Sequence, residues 1–182
     1  MNLIIFGPPG AGKGTQADFI VNKFNLFKLS TGEVLRNEID NKTQLGKEIS
    51  SIINSGSLVS DNIVEKLVET FIADKKYKDR LIFDGYPRNL IQAKTLQELL
   101  LKNGQEINLV LKLSVSQETI IKRILERRTI ENRTDDSKEI AIKRYQTYEK
   151  STEPVIEYYK KLNLLKVIDG ERSIDQINKE IS

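Results

Sequence analysis

Residues 7–15 read GPPGAGKGT and place four glycines around a single lysine, Lys13. Glycines let the chain bend tightly and let backbone N–H groups approach a phosphate without an intervening side chain. The apolar run at residues 3–6 predicts a buried strand before this loop, and apolar residues at helical spacing follow within residues 17–24. A helix start adds unpaired N–H groups and the positive end of the helix dipole. The stretch therefore predicts a loop that binds a nucleoside triphosphate, rather than a glycine-rich turn that binds nothing.

One position departs from the phosphate-binding pattern G-x-x-x-x-G-K-[ST], which places a magnesium-ligating hydroxyl directly after the lysine. Gly14 stands at that position, and the hydroxyl comes one residue later, at Thr15. The pattern thus predicts triphosphate binding but leaves open whether a side chain bonds directly to Mg²⁺.

The composition narrows the chemistry further. The 182 residues favour one main domain, and a net charge of +3 gives no reason to expect nucleic acid or a membrane as partner. The chain has no cysteine and no histidine, which excludes disulfides, thiolate or histidine zinc sites and histidine-based catalysis. No basic leader and no long apolar stretch is present, so we expect a cytoplasmic protein.

Short apolar runs separated by helical patterns predict an α/β fold with a parallel five-stranded sheet covered by helices on both faces. The predicted strands are residues 1–6, 26–29, 81–83, 109–113 and 164–168. The stretch from 32 to 56 predicts a polar helical insertion that packs loosely. The pattern predicts one helix from about 138 to 151 and a separate one from about Pro154 to 162, with a break between them.

The carboxyl ends of the first three strands carry polar groups that would meet at one edge of such a sheet. The glycine loop follows the first strand, Ser30 and Thr31 follow the second, and Asp84 ends the third. A strand-end aspartate beside a phosphate-binding loop is typical of a group that holds Mg²⁺ or its waters. The alternative is an aspartate that only forms a turn with Gly85.

Six arginines lie in loops or near helix ends, where a phosphoryl group could be surrounded. They are Arg36, Arg88, Arg123, Arg127, Arg133 and Arg144. A single arginine is usually a solvated surface group, but the planar guanidinium fork also suits a phosphate that must be neutralised from several sides. The set therefore predicts a protein that clamps polyphosphate.

Taken together, these motifs resemble those of the adenylate kinase family over essentially the whole chain. The matching stretches are residues 7–15, STGEVLR at 30–36, DGYPR at 84–88 with Gln92, and RTDD at 133–136 with Arg144. The resemblance implies reversible phosphoryl transfer from ATP to AMP, giving two ADP, with Mg²⁺ as cofactor. The family also carries glycine at the position of Gly14, which implies that Mg²⁺ is held mainly through water, with Asp84 ordering those waters.

The resemblance also implies residue roles. For ATP binding it implies Gly10, Ala11, Gly12, Lys13, Gly14, Thr15, Arg123, Arg127 and Arg172. For AMP binding it implies Thr31, Arg36, Ser57, Leu58, Val59, Gly85, Tyr86, Pro87, Arg88, Gln92, Arg133 and Arg144. The implied catalytic residues are Lys13, Arg88, Arg123, Arg133 and Arg144.

The implied domain organisation is a core of residues 1–29, 60–126 and 138–182, with an AMP-binding insertion at 30–59 and a short lid at 127–137. This lid is too short for an inserted β-domain and, without cysteine, it holds no zinc. The expected partners are ATP, AMP and ADP, and the expected state is a monomer.

Two alternatives remain open at this point. A UMP/CMP kinase or another nucleoside monophosphate kinase shares the glycine loop, the DGYPR-type motif and a short lid, although Thr31 and residues 56–59 favour AMP. A nucleotide-binding switch with little catalysis would also close around a triphosphate, but it needs no second phosphate site.

Overall fold

A computed structural model of the protein describes residues 1–131 and 137–182; the side chains of residues 128–131 are not described. The described chain holds five strands, all parallel, in the order β2-β3-β1-β4-β5. The strands are β1 (Asn2–Phe6), β2 (Phe27–Ser30), β3 (Leu81–Asp84), β4 (Ile107–Ser114) and β5 (Leu165–Asp169). The helices are α1 (Lys13–Phe24), α2 (Thr31–Asp40), α3 (Gln44–Asn54), α4 (Asp61–Ala73), α5 (Leu90–Lys102), α6 (Gln117–Glu131), α7 (Lys138–Lys161) and α8 (Ile174–Ile181), with a 3₁₀ turn at Lys75–Tyr77.

The central strands read as continuous apolar runs because both faces of the sheet are covered. Side chains alternate between the faces along a strand. Ile4 and Phe6 of β1 enter one core with residues of α4, α5 and α7, and Leu3 and Ile5 enter the other with residues of α1 and α8. The predicted α/β fold with helices on both faces of a parallel sheet is therefore confirmed.

The strand register brings the polar strand ends together, as the sequence predicted. Asp84 of β3 pairs with Ile5 of β1 on one side and with Ser30 of β2 on the other. The glycine loop, the start of α2 and Asp84 consequently share one edge of the sheet.

The predicted break at Pro154 is wrong, because α7 runs without interruption from Lys138 to Lys161. Proline removes one intrahelical hydrogen bond, and tertiary contacts here offset that loss. Val155 and Ile156 are buried in the core, and the Thr152 hydroxyl donates a hydrogen bond to the Arg88 carbonyl at 3.2 Å. Packing on both sides of the proline thus holds the helix together.

The insertion at residues 30–59 is packed more tightly than the sequence predicted. Leu35, Ile49 and Val59 are buried in the same cluster as the core of the sheet. Gly46 permits this, because a Cβ at that position would lie 2.0 Å from the Glu38 carbonyl oxygen. A glycine at position 46 therefore allows α2 and α3 to pack more closely than they could with a larger residue there.

The predicted lid at residues 127–137 overlaps a regular element. Helix α6 continues through Glu131, so the first part of that segment is helical. Residues 132–136, which include Arg133, lie outside the described residues.

Candidate functional site

A cavity of about 480 Å³ lies at the carboxyl edge of the sheet, within the size range of small-molecule sites. Its walls come from the glycine loop, the insertion, the segment after β3, and helices α6 and α7. Basic side chains exceed acidic ones among the residues that line it: Lys13, Arg36, Arg88, Arg123, Arg127 and Arg144, against Asp18, Glu33 and Asp84. The charge of the cavity suits an anionic ligand.

The glycine loop has the backbone conformation that its sequence predicts. Gly10 and Gly12 have φ of +88° and +91°, a region that other residues rarely adopt. Gly10 also lies against α6, where an added Cβ would be 2.9 Å from Ile124 Cγ1. Helix α1 begins at Lys13 with Gly12 as its N-cap, and no side chain caps this end. Its first N–H groups are therefore open to an anion in the cavity.

Lys13 belongs to this loop and its side chain turns back onto it. Its ammonium donates hydrogen bonds to the carbonyl oxygens of Gly7 at 2.8 Å and Pro8 at 3.2 Å. Burial lowers the pKa of Lys13 to about 8, an effect that Asp84 opposes and the neighbouring arginines reinforce. The site thus holds an ammonium that a bound anion would stabilise.

Asp84 is a single buried carboxylate at the end of β3, and it lines the cavity. Across residues 1–131 and 137–182, no group of three or more acidic side chains is placed to hold a metal ion. One carboxylate beside a phosphate-binding loop fits Mg²⁺, which keeps several waters and is usually bound by one or two carboxylates and substrate phosphates. Thr15, the displaced hydroxyl of the motif, also lines the cavity.

The carbonyl of Gly85, the residue after Asp84, holds two predicted side chains. It accepts hydrogen bonds from the Thr31 hydroxyl at 3.1 Å and from Arg88 Nε at 2.7 Å. Gly85 has φ of +82°, and a Cβ there would come within 3.0 Å of the Thr31 hydroxyl. Burial lowers the pKa of Arg88, with Asp84 opposing and Arg36 adding to this effect. Thr31, Arg36 and Arg88 therefore share one part of the cavity.

Gln92 lies in the same part of the cavity and is fixed by its neighbours. Its side-chain oxygen accepts from the Arg88 backbone N–H at 2.7 Å, and its side-chain nitrogen donates to Asp61 at 2.7 Å. An aspartate at the start of a helix commonly caps it. In the structure Ser60 is the N-cap residue of α4, and the Asp61 carboxylate turns to Asn89 and Gln92 instead.

Most of the remaining predicted residues line the cavity. They are Gly10, Gly12, Gly14, Ser57, Leu58, Val59, Pro87, Arg123, Arg127 and Arg144. Arg123 donates to the Gly170 carbonyl at 3.0 Å, which joins α6 to the segment after β5. Thr147, Tyr148 and Thr152 of α7 also line the cavity, although no sequence motif pointed to them.

Three predicted residues lie beside the cavity rather than in its wall. Ala11 and Tyr86 are buried, and the Tyr86 hydroxyl donates to the Gln92 carbonyl from beneath. The Arg172 guanidinium is paired with Asp169 and Glu180. Apart from these three, and from Arg133, which lies outside the described residues, the predicted residues line one cavity.

An all-parallel sheet with a glycine loop at the start of α1 and a second cationic region beyond Asp84 is the arrangement of a P-loop nucleotide kinase. A family-level comparison makes the class more specific. The adenylate kinase family model matches residues 5–164. The chain belongs to the adenylate kinase family. It is therefore a kinase, an enzyme of the phosphotransferase class, as the sequence resemblance implied.

Curated relatives named adenylate kinase match over the whole chain. The protein of Pelagibacter ubique is 45% identical, with 100% of this chain and 98% of the relative aligned. Those of Fusobacterium nucleatum and Prochlorococcus marinus strain MIT 9515 are 41% and 43% identical, with 96% of each relative aligned. The Pelagibacter alignment spans 208 positions, more than the 182 residues here, so that relative has residues without a counterpart in this chain.

The length and hydropathy of the helices bear on whether one of them could span a membrane. Among the helices that the structure describes, none is long and apolar enough to cross a bilayer.

Proposed function

We propose that this protein catalyses the reversible transfer of the terminal phosphoryl group of ATP to AMP, giving two ADP. Lys13 and Arg88 carry the proposal, because both line one cavity with Asp84 and the charge of Asp84 acts to raise the pKa of each. A donor phosphate on the glycine loop and an acceptor phosphate on the arginine side would meet between them. Family membership supports the same reaction.

ATP is the proposed ligand of the glycine loop. The backbone of residues 10–15 and Lys13 would hold its phosphates, together with Arg123 and Arg127 of α6, which packs against Gly10. The segment at Gly170, which Arg123 contacts, continues to Arg172, whose backbone is the proposed neighbour of the ATP base.

AMP is the proposed ligand of the other side. Arg36 and Arg88 would bind its phosphate, while Thr31, Gln92 and residues 57–59 would surround its base. Gly85 and Pro87 also line this part of the cavity, and Tyr86 would support Gln92 through its hydrogen bond to the Gln92 carbonyl. Arg133 and Arg144 are proposed to gather around the transferring group.

Mg²⁺ is the proposed cofactor, and Asp84 would hold it through water. When bound with ATP, the ion would neutralise charge on the phosphates. The exposed Thr15 lies one residue beyond the usual ligand position, which supports water rather than a hydroxyl as the ligand.

The proposed catalysis rests on positioning and charge neutralisation, since phosphoryl transfer through a loose transition state requires little covalent chemistry from the protein. Closure of the insertion (30–59) and the lid (127–137) over the cavity would exclude water that otherwise hydrolyses ATP. The insertion already contacts α7, because Lys143 donates to the Ser55 carbonyl at 2.7 Å and to the Ser57 hydroxyl at 3.1 Å.

A substrate panel tests the proposed function. We expect ADP formation from ATP and Mg²⁺ to be much faster with AMP than with UMP, CMP, dAMP or GMP at equal concentration. Preference for UMP or CMP would favour another nucleoside monophosphate kinase. Absence of turnover with every acceptor, despite ATP binding, would favour a nucleotide switch.

The lowered pKa of Lys13 predicts that ATP binding takes up a proton near pH 8. Phosphate oxygens next to Lys13 favour its charged form and raise its pKa. In the free protein, with a pKa of about 8, Lys13 loses its proton as pH rises past that value, so ATP binding above it must take a proton up. ATP affinity should therefore fall above pH 8, by up to ~10-fold per pH unit. Isothermal titration calorimetry at pH 8 in two buffers of different ionisation enthalpy should detect the uptake of ~0.5 proton.

Lys13→Arg is the matched variant for this measurement, because arginine stays charged across the range. It should bind ATP without proton uptake at pH 8. Equal uptake in both proteins would assign the proton to another group.

The monomeric state and the cytoplasmic location stay predictions.

A further inference from the structure

The carboxylate of Asp61 forms an unusual contact for the first residue of a helix. It accepts hydrogen bonds from Gln92 Nε2 at 2.7 Å and from Asn89 Nδ2 at 3.1 and 3.3 Å. Asn89 in turn caps α5, accepting from the Gln92 backbone N–H at 2.8 Å. Asp61 therefore joins the start of α4 to the start of α5 at the wall of the cavity.

Two neighbours determine which way the Gln92 amide points. An ionised carboxylate only accepts hydrogen bonds, so the amide nitrogen must face Asp61. The Arg88 backbone N–H only donates, so the amide oxygen must face Arg88. Because both constraints agree, turning the amide by 180° would oppose donor to donor at one end and acceptor to acceptor at the other.

The amide keeps unused hydrogen-bonding capacity. Its nitrogen carries two hydrogens and its oxygen has two lone pairs, and within residues 1–131 and 137–182 each end has one side-chain hydrogen bond. One N–H and one lone pair are left on a group that lines the cavity. A fixed amide thus offers the ligand one donor and one acceptor in a set order.

We propose that Asp61 is a positioning residue that sets the selectivity of the acceptor site for adenine by fixing the Gln92 amide. This inference rests on the proposed function. Adenine presents a ring-nitrogen acceptor beside an exocyclic amino donor, which complements one order of amide N–H and C=O. Hypoxanthine has the same size and the reverse order, with a donor at N1 and an acceptor at O6. A fixed amide therefore complements adenine, whereas with hypoxanthine it places donor against donor and acceptor against acceptor.

The test compares AMP with inosine monophosphate (IMP) as acceptors, because their bases differ at the edge that the amide would contact. Wild-type protein should prefer AMP in kcat/KM. Asp61→Asn can donate as well as accept, so it removes one of the two constraints on the amide and lowers the cost of turning it. We expect the AMP/IMP ratio to fall ~10-fold or more, on the scale of one bidentate amide–base contact, while kcat with AMP changes less than ~3-fold.

Further variants separate positioning from a general structural effect. Asp61→Ala should lower the ratio in the same way, and it keeps the test open if Asp61→Asn does not fold. Asp61→Glu retains an acceptor-only group and should preserve the preference better than either. In a Gln92→Ala background, Asp61→Asn should not change the ratio further, because the group it positions is gone. The exposed neighbour Asn62→Ala is the control and should leave the ratio unchanged.

The outcomes distinguish the inference from the function. If wild-type protein does not phosphorylate AMP, the proposed function is wrong. If it phosphorylates AMP but does not prefer it to IMP, or if Asp61→Asn and Asp61→Ala lower both rates equally and leave the ratio intact, the role of Asp61 alone is overturned.

Discussion

We expect Lys13→Met to lower the rate of phosphoryl transfer from ATP to AMP by ~10²-fold or more, the scale of losing a charge contact made mainly in the transition state. Methionine keeps much of the length of the side chain but removes the ammonium that lies against the carbonyls of Gly7 and Pro8. Steady-state kcat/KM for both substrates measures the loss.

Binding measurements distinguish whether Lys13 contacts ATP or AMP. We expect weaker ATP binding but AMP affinity within ~3-fold of wild type, since a single charge contact is lost on the donor side alone. The thermal midpoint should not fall, because burial already disfavours the charge on Lys13. Lys23→Met, an exposed lysine of the same helix, is the control. Near wild-type turnover of Lys13→Met would contradict the assignment of Lys13.

Arg88→Ala should cause a loss of similar size, ~10²-fold or more in kcat/KM, for a reason on the acceptor side. Within the described residues, Nε is the part of the Arg88 guanidinium that has a hydrogen-bond partner, the Gly85 carbonyl at 2.7 Å. The two terminal nitrogens are then available for a forked contact to phosphate. Hydrogen bonds of the Arg88 backbone to Gln92 and Thr152 hold that fork in place.

The design of this experiment mirrors that for Lys13. Calorimetry should show AMP binding strongly weakened and ATP affinity nearly unchanged. Arg88→Lys keeps the charge without the planar fork, so we expect it to recover only part of the activity. Lys94→Ala removes an exposed cation from α5 and serves as the control. If Arg88→Ala weakened ATP and AMP binding equally, Arg88 would not belong to a separate acceptor site.

The sequence by itself determined the glycine loop, the parallel α/β fold and the edge of the sheet on which the site lies. These features follow from requirements that are local in the chain. Gly10 and Gly12 need positive φ, the first helix must start at the loop, and apolar runs as in β1 must be buried on both faces. The family resemblance then rested on short contiguous motifs, and the family match agrees with it.

Only the tertiary structure decided how distant segments meet. Asp61 and Gln92 lie 31 positions apart, and their contact depends on how α4 packs against α5. The unbroken α7 at Pro154 and the buried insertion likewise depend on neighbours that no local pattern specifies. A proline within a helix is about 3 kcal/mol less favourable than an alanine, an amount that burial of two aliphatic side chains can offset. Long-range packing therefore decided the features that the sequence pattern misjudged or missed.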